Sequence, residues 1–321
     1  MEHFQEVPDI NRLIISPFFL KEGLEFAQKQ GCNNILIDTY RTTTDIYGIS
    51  CKHVLNLSLI CEYDFIETLV IQGYDYTIEP CNLNQLSVLP RLKKLGLWVD
   101  KVFTVDFCLF PKLEELEYYH TKQTENVDAL INLKRLHIYN FKSNELEELK
   151  NMSLLEELTI WDAKNINLNG LCQLTNLRML HIIRSRKMTD ISGLCNSNKL
   201  EELNFSYCNN IVDISVLSHI SGLKTLRLLN CKQLQDLTQL VPNNTIENIN
   251  ISVLKDLLFL VGMKQLKSLC FDDVINGDIS PLFSSISLEH VSMVSKKKYS
   301  HTEKEVNQIL ERNRLNNKIS Y

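Results

Sequence analysis

The sequence predicts an α/β solenoid, a curved stack of short repeats with a parallel β-sheet on its concave face and short helices or turns on its convex face. Three observations lead there. One apolar pattern recurs at near-constant spacing along most of the chain, a second apolar set recurs between its copies, and each end reads as a cap.

The pattern is an apolar residue, two variable residues, a second apolar residue that is usually Leu, one variable residue and a third apolar residue. It reads Leu92, Leu95, Leu97; Leu113, Leu116, Tyr118; Leu133, Leu136, Ile138; and Leu155, Leu158, Ile160. Leu177, Leu180, Ile182; Leu200, Leu203, Phe205; and Leu223, Leu226, Leu228 follow. Weaker copies centre on Ile249, Leu269 and Val291, and upstream ones on Leu13 (with Ile10 and Ile15), Ile35 (with Cys32 and Ile37) and Leu69. The centres fall at 13, 35, 69, 95, 116, 136, 158, 180, 203, 226, 249, 269 and 291. After residue 95 the steps are 20 to 23 residues. The steps of 34 and 26 before it imply longer convex segments, or a differently built cap, at the N-terminal end.

Alternation of variable and apolar residues describes a short strand with one buried face. No repeat can bury that face alone, so neighbours stack and share a core. The second apolar set lies in the return segments, such as Asp190-Ile191-Ser192-Gly193-Leu194, Asp213-Ile214-Ser215-Val216-Leu217 and Asp278-Ile279-Ser280-Pro281-Leu282. These read as convex core in short helical turns.

Thirteen copies in near-constant phase resemble the leucine-rich repeat family, in the short-repeat style of internalin-like bacterial proteins and of some phosphatase regulators. The resemblance covers about residues 10–294. In that family the site occupied here by Cys208 and Cys231 holds Asn or Cys, pointing inward at the strand-to-convex turn. The resemblance therefore implies a packing role for both thiols rather than a metal pair or a redox switch.

The ends read as closures. Residues 1–31 form an N-terminal strand and helix cap: Ser16 caps a helix through Gln30, Pro17 fits its first turn and Gly31 stops it. Phe18, Phe19, Leu24 and Phe26 supply its apolar content. Residues 32–294 hold the repeats. Residues 295–321 form a C-terminal cap helix, opened by the capping-box spacing of Thr302 and Glu305 and striped by Val306, Ile309 and Leu310. Lys296, Lys297 and Lys298 before it read as a solvated turn. The chain is expected to be a single domain, 1–321.

Composition narrows the function. Of 321 residues, 44% are hydrophobic and 23% charged, so a disordered chain is excluded. A net charge of -5 argues against a nucleic-acid partner. Apolar runs such as Leu257–Val261 are too short to span a bilayer, so no membrane partner is expected. Met1–Ile10 lacks the basic start and apolar core of a secretory signal. The ten cysteines include no C-x-x-C and are expected to be reduced thiols, Cys172 and Cys195 among the buried ones. A cytoplasmic protein follows from both. There is no P-loop, no G-x-S-x-G elbow and no H-E-x-x-H, hence no assigned catalytic residue, metal or cofactor.

Solvent-facing strand positions flank the two buried ones and form columns across repeats. The column after the second buried residue reads Trp98, Tyr119, Tyr139, Trp161, Ile183, and contains both tryptophans of the chain. The middle column carries Glu117, His137 and His181, and the preceding one Arg135 and Glu157. An apolar run on a solvent-facing sheet marks a contact site. The expectation is a non-enzymatic module whose concave sheet holds a protein partner, a toxin or an enzyme, over those aromatics. Glu117, Arg135, His137, Glu157 and His181 form the polar flank. The family resemblance implies an intracellular inhibitor or a toxin-neutralising immunity-type protein. A regulatory or adaptor subunit of a phosphatase or ubiquitin-ligase complex stays open as the alternative.

Overall fold

The structure, a computed structural model, describes residues 4–7, 11–38, 53–73, 78–81, 83–99, 103–142, 146–163 and 167–319. The chain divides into two compact units, Met1–Lys142 and Ser143–Tyr321.

In the first unit the strands Arg12–Ile15, Asn34–Asp38, Thr68–Gly73, Lys94–Val99, Glu115–Tyr119 and Arg135–Tyr139 lie side by side and parallel. Their register sets each centre beside the next: Leu13 opposite Ile35, Ile35 opposite Leu69, Leu69 opposite Leu95, and so on to Leu136. The second unit repeats the arrangement with Glu157–Trp161, Met179–Ile183, Glu202–Ser206, Thr225–Leu229, Asn248–Leu254, Ser268–Val274 and His290–Met293. All thirteen predicted centres sit in these strands; Ile249 is 2% exposed and the other twelve 0%. A slip of one residue would turn this whole set to solvent, so burial pins the register.

The return segments are short 3-10 turns, as at Ser192–Leu194, Ser215–His219 and Thr238–Leu240, with one α-helical turn at Pro281–Ser284. Their sequence rule has a local cause. The carboxylates of Asp190, Asp213, Asp236, Asp256 and Asp278 each accept the backbone N–H two residues on, at 2.8–3.0 Å. This turns the chain and leaves the next apolar residues, such as Ile191 and Leu194, facing the core. Gly193 is obligatory for contact rather than conformation: a Cβ there would lie 1.9 Å from the Leu168 carbonyl oxygen of the previous return segment. At five strand exits the residue four past the centre takes a left-handed conformation: Asn140, Asp162, Arg184, Tyr207 and Asn230 have φ of 54–62°.

The irregular N-terminal spacing reflects additional structure on the return side. His53–Asn56 pairs in parallel with Ile78–Cys81, and the 3-10 segment Leu57–Glu62 follows the first of these. The remainder of the irregular segment, residues 39–52, lies outside the described residues, as does Ile10.

Both caps depart in detail from expectation. The first described strand, Phe4–Val7, pairs antiparallel with Arg12–Ile15, and Asn11, just before the latter, has φ 46°. No periodicity marks so short a strand. The helix Leu20–Gln30 ends at Gly31 in the left-handed region, as expected, but begins with a 3-10 turn, and the Ser16 side chain makes no capping bond. Its buried face is Leu20, Gly23, Leu24 and Ala27, whereas Phe18 is exposed and Phe19 and Phe26 are half-buried. At the other end the helix Glu303–Ile319 opens with the predicted box: the Thr302 N–H donates to Glu305 at 2.8 Å and the Glu305 N–H to Thr302 Oγ1 at 3.4 Å. Val306 and Leu310 are buried and Ile309 is half-buried. The lysine triplet is more than a solvated turn. Lys296 and Lys298 pair with Asp273 at 3.0 and 2.7 Å, and Tyr299 Oη donates to Asp273 while accepting the Val274 N–H, each at 2.8 Å. Burial raises Asp273, but hydrogen bonds from Lys298, Lys296 and Tyr299 outweigh it and hold the carboxyl ionised far below its ordinary range.

Eight cysteines lie among the described residues, and all are unpaired; Cys51 and the side chain of Cys81 lie outside them. Cys208 and Cys231 are buried, their Sγ atoms directed at the carbonyls of Ile182 (3.5 Å) and Phe205 (3.3 Å) in the preceding strands. Burial pushes these thiols up to about 12 and about 11. Cys195, by contrast, is exposed and Cys172 half-buried, because their positions in the return turns face outward. Reaction of the native protein with a thiol reagent at neutral pH should therefore modify Cys195 and Cys108 within minutes and Cys208 only after denaturation. Mass mapping of the labelled peptides reads the order, and early labelling of Cys208 would overturn the assignment.

Candidate protein-contact face

The sheet faces hold the predicted contact residues, and each unit builds its own part. In the first unit, Trp98, Tyr119 and Tyr139 lie at or next to the ends of three successive strands, with Trp98 and Tyr119 in the same column. Tyr119 and Tyr139 are register partners whose rings stack at 5.1 Å and 26°. All three aromatics are half-buried rather than fully exposed. The Trp98 indole N–H is enclosed without an acceptor among the described residues.

Beside them runs an ion network. Lys94 Nζ lies 3.1 Å from both Glu115 and Glu117, Arg135 pairs with Glu115, and His137 Nδ1 is 3.9 Å from Glu117. Burial pulls the Lys94 ammonium down, yet Glu117 and Glu115 outweigh it and raise its pKa above the ordinary value. Burial likewise pushes Glu115 up, and the hydrogen bonds from Arg135 and Lys94 bring it below the carboxylate range. Glu117, expected on the exposed flank, is buried at 8% exposure, and Lys94 takes up its charge.

In the second unit, Glu157 and Trp161 begin and end one strand, and His181 and Ile183 belong to the next. Glu157, Trp161 and His181 are half-buried, while Ile183, expected to extend the apolar strip, is buried. Ile183 is opposite both Trp161 and Ser206 and is shielded by its neighbours. His181 Nε2 lies 2.8 Å from Glu202, which also pairs with Arg227. Burial raises Glu202, and these two partners bring it below its ordinary value. Arg184 covers the Trp161 ring at 5.8 Å and reaches Asp162 at 3.5 Å. Of the predicted flank residues, Glu117, Arg135, His137 and His181 are thus held by charged neighbours on adjoining strands. Their arrangement offers a fixed, mixed-charge surface and no nucleophile–base pair.

Two features escaped sequence reasoning. From Leu69 onward the residue two before each centre alternates in sign: Glu67, Lys93, Glu114, Lys134 in the first unit, and Glu156, Arg178, Glu201, Lys224, Glu247, Lys267, Glu289 in the second. Lys134 pairs with Glu114 at 2.7 Å, Arg178 with Glu201 at 2.8 Å and Lys267 with Glu247 at 2.8 Å. Such exposed pairs add little stability. In the second unit Glu156, Arg178, Glu201, Lys224 and Glu247 line a polar groove of about 640 Å³ along the strand-entry edge, away from Trp161. Reading the columns outside the strand core, rather than inside it, reveals the alternation. The second feature is His120, one residue past the Tyr119 column. It packs edge-on to Phe141 at 5.1 Å, and its Nδ1 is enclosed without a partner among the described residues.

Burial, then the nearby Lys142, lowers the His120 pKa. The unfolded chain therefore takes up this proton first, near pH 6.5. Stability from a neutral His120 is fully present above that value and declines as pH falls toward the folded pKa. Urea unfolding at pH 8 and pH 5.5 should show a smaller acid loss for His120→Phe than for wild type. Equal losses would place His120 in water.

Among the described residues, no group of three or more His, Cys, Asp or Glu could hold a metal ion, and no helix is long and apolar enough to cross a membrane. No family model and no curated protein matches the sequence. Solved structures do match. An internalin (inlF) from Listeria monocytogenes aligns with TM-score 0.58 at 17% identity, covering 87% of this chain and 85% of that one. A chain of the mouse RP105/MD-1 complex aligns with TM-score 0.53 at 18% identity, covering 86% of this chain and 52% of that one. Together with the stacked parallel strands and their return turns, these likenesses identify the fold of the chain as that of the leucine-rich repeat proteins.

Proposed function

We propose that the chain is a non-enzymatic protein-binding module that receives its partner on the sheet face, over Trp98, Tyr119 and Tyr139 in the first unit and Trp161 in the second. The observation that carries this is the stacked Tyr119–Tyr139 pair, held beside an ion network on strands whose other face is fully buried. Rings held this way lose little freedom when a partner arrives and bury a large area for each residue ordered. The mouse RP105/MD-1 structure is that of a complex, which fits a role in association for this fold.

The finer reading is an intracellular inhibitor or toxin-neutralising immunity-type protein acting in the cytoplasm on a toxin or an enzyme. The unpaired thiols support that compartment. Co-purification from the native cell, followed by binding of the identified partner to wild type and to face variants, tests the proposal. A partner whose affinity no face variant changes would refute it.

A further inference from the structure

The strand-exit rim of the second unit combines backbone strain with exposed side chains of the kind that bind. Asn140, Asp162 and Asn230 fill the left-handed exit position with residue types that tolerate it. Arg184 and Tyr207 fill it at φ 62° and 57°, although neither side chain is suited to that conformation. Strain retained at two adjacent positions, where Asn serves elsewhere, points to a use for those side chains. They are register neighbours: the Arg184 N–H donates to the Ser206 carbonyl at 2.8 Å and the Tyr207 N–H to Leu229 at 2.7 Å. Tyr207 is 46% exposed, and Arg184 is exposed above the Trp161 ring.

The rim is also cationic. Arg184, Arg186 and Lys187 place three positive charges within four residues of a chain whose net charge is -5, and Asp162, 3.5 Å from Arg184, offsets one of them. A turn closed by the Met188 N–H on the Ser185 carbonyl (3.2 Å) holds Arg186 and Lys187 at its tip. Both are exposed, and neither forms an ion pair with a described residue. The corresponding turn tips of the next two repeats carry Asn209 with Asn210, and Lys232 with Gln233, and so add no negative charge.

We propose that Trp161, Arg184, Tyr207 and the Arg186–Lys187 turn form a docking surface for an acidic segment of a protein partner, with Arg and Lys receiving its carboxylates and Tyr207 and Trp161 its apolar or aromatic residues. This rests on the protein-binding reading and names the partner's chemistry. Arg, Trp and Tyr are the residues that dominate binding hot spots, and a basic patch on an acidic protein steers an acidic ligand toward one end of the face.

The probe is a fluorescein-labelled peptide of alternating Asp and Glu with interspersed Phe, set against its Asn/Gln counterpart and a short single-stranded oligonucleotide. Anisotropy should show the acidic peptide binding at least about tenfold tighter than the neutral one, weakening as salt rises. Arg186→Glu combined with Lys187→Glu should abolish that preference. Tyr207→Asn is the decisive variant. Relief of strain should raise its melting temperature by about 1–3 °C while its affinity for the acidic peptide falls. Equal binding of acidic and neutral peptides, tighter binding of the oligonucleotide, or a stabilised Tyr207→Asn that binds as wild type would each overturn the proposal. Trp98→Ala, in the first unit, separates the two readings. If it weakens an identified partner while the rim variants do not, the face reading stands and the rim proposal fails.

Discussion

Leu158→Ala should destabilise the protein by roughly 2–5 kcal/mol, the range for removing a buried Leu side chain from a close-packed core. Leu158 is fully buried, at the centre of Glu157–Trp161 and opposite Leu180 in the next strand. In a stack of repeats the hole cannot be filled by a neighbour without pulling that neighbour from its own position, so collapse is resisted and the upper part of the range is expected. Urea unfolding followed by circular dichroism measures the loss. Glu157→Ala, one residue away and half-buried, should stay within about 0.5 kcal/mol of wild type. If the two variants unfold alike, the inward and outward assignment of this strand is wrong.

Trp161→Ala should leave folding nearly intact and weaken partner binding by roughly 2 kcal/mol or more. The indole is half-buried at the end of its strand, with Arg184 on its ring, and its loss opens no cavity in the central core. Trp98→Ala tests the same reading in the first unit, where the indole is likewise half-buried. Arg135→Ala should cost binding less than either, because its guanidinium is exposed and already paired with Glu115. Melting temperature and partner affinity are measured together on each variant. If Trp98→Ala and Trp161→Ala both bind as wild type, the aromatics are part of the scaffold and the partner docks elsewhere.

The repeat register was readable from residue order because a strand with one buried face leaves a period-two signature, and thirteen copies repeat it in phase. The C-terminal cap was readable for a similar reason: Thr302 and Glu305 satisfy each other's backbone donors through a spacing that is local in sequence. The depth of Cys208 and Cys231 was implied by the resemblance to leucine-rich repeats, whose inward-pointing site after the strand they occupy.

Other features depend on neighbours that residue order does not reveal. Glu117 and Ile183 occupy outward positions and are nonetheless buried, because side chains on strands about 4.8 Å apart shield one another according to their sizes and charges. The lysine triplet joins the cap only because Asp273, two dozen residues upstream, comes within 3.0 Å of it in space. Phe18 is exposed because the 3-10 turn before Leu20–Gln30 rotates it off the face that Leu20, Leu24 and Ala27 bury. The strain at Arg184 and Tyr207 is likewise a backbone property, invisible until five of the strand exits are seen to share one conformation. Periodicity thus fixes which residues point inward along a strand, whereas packing across strands decides how far the outward ones remain in water.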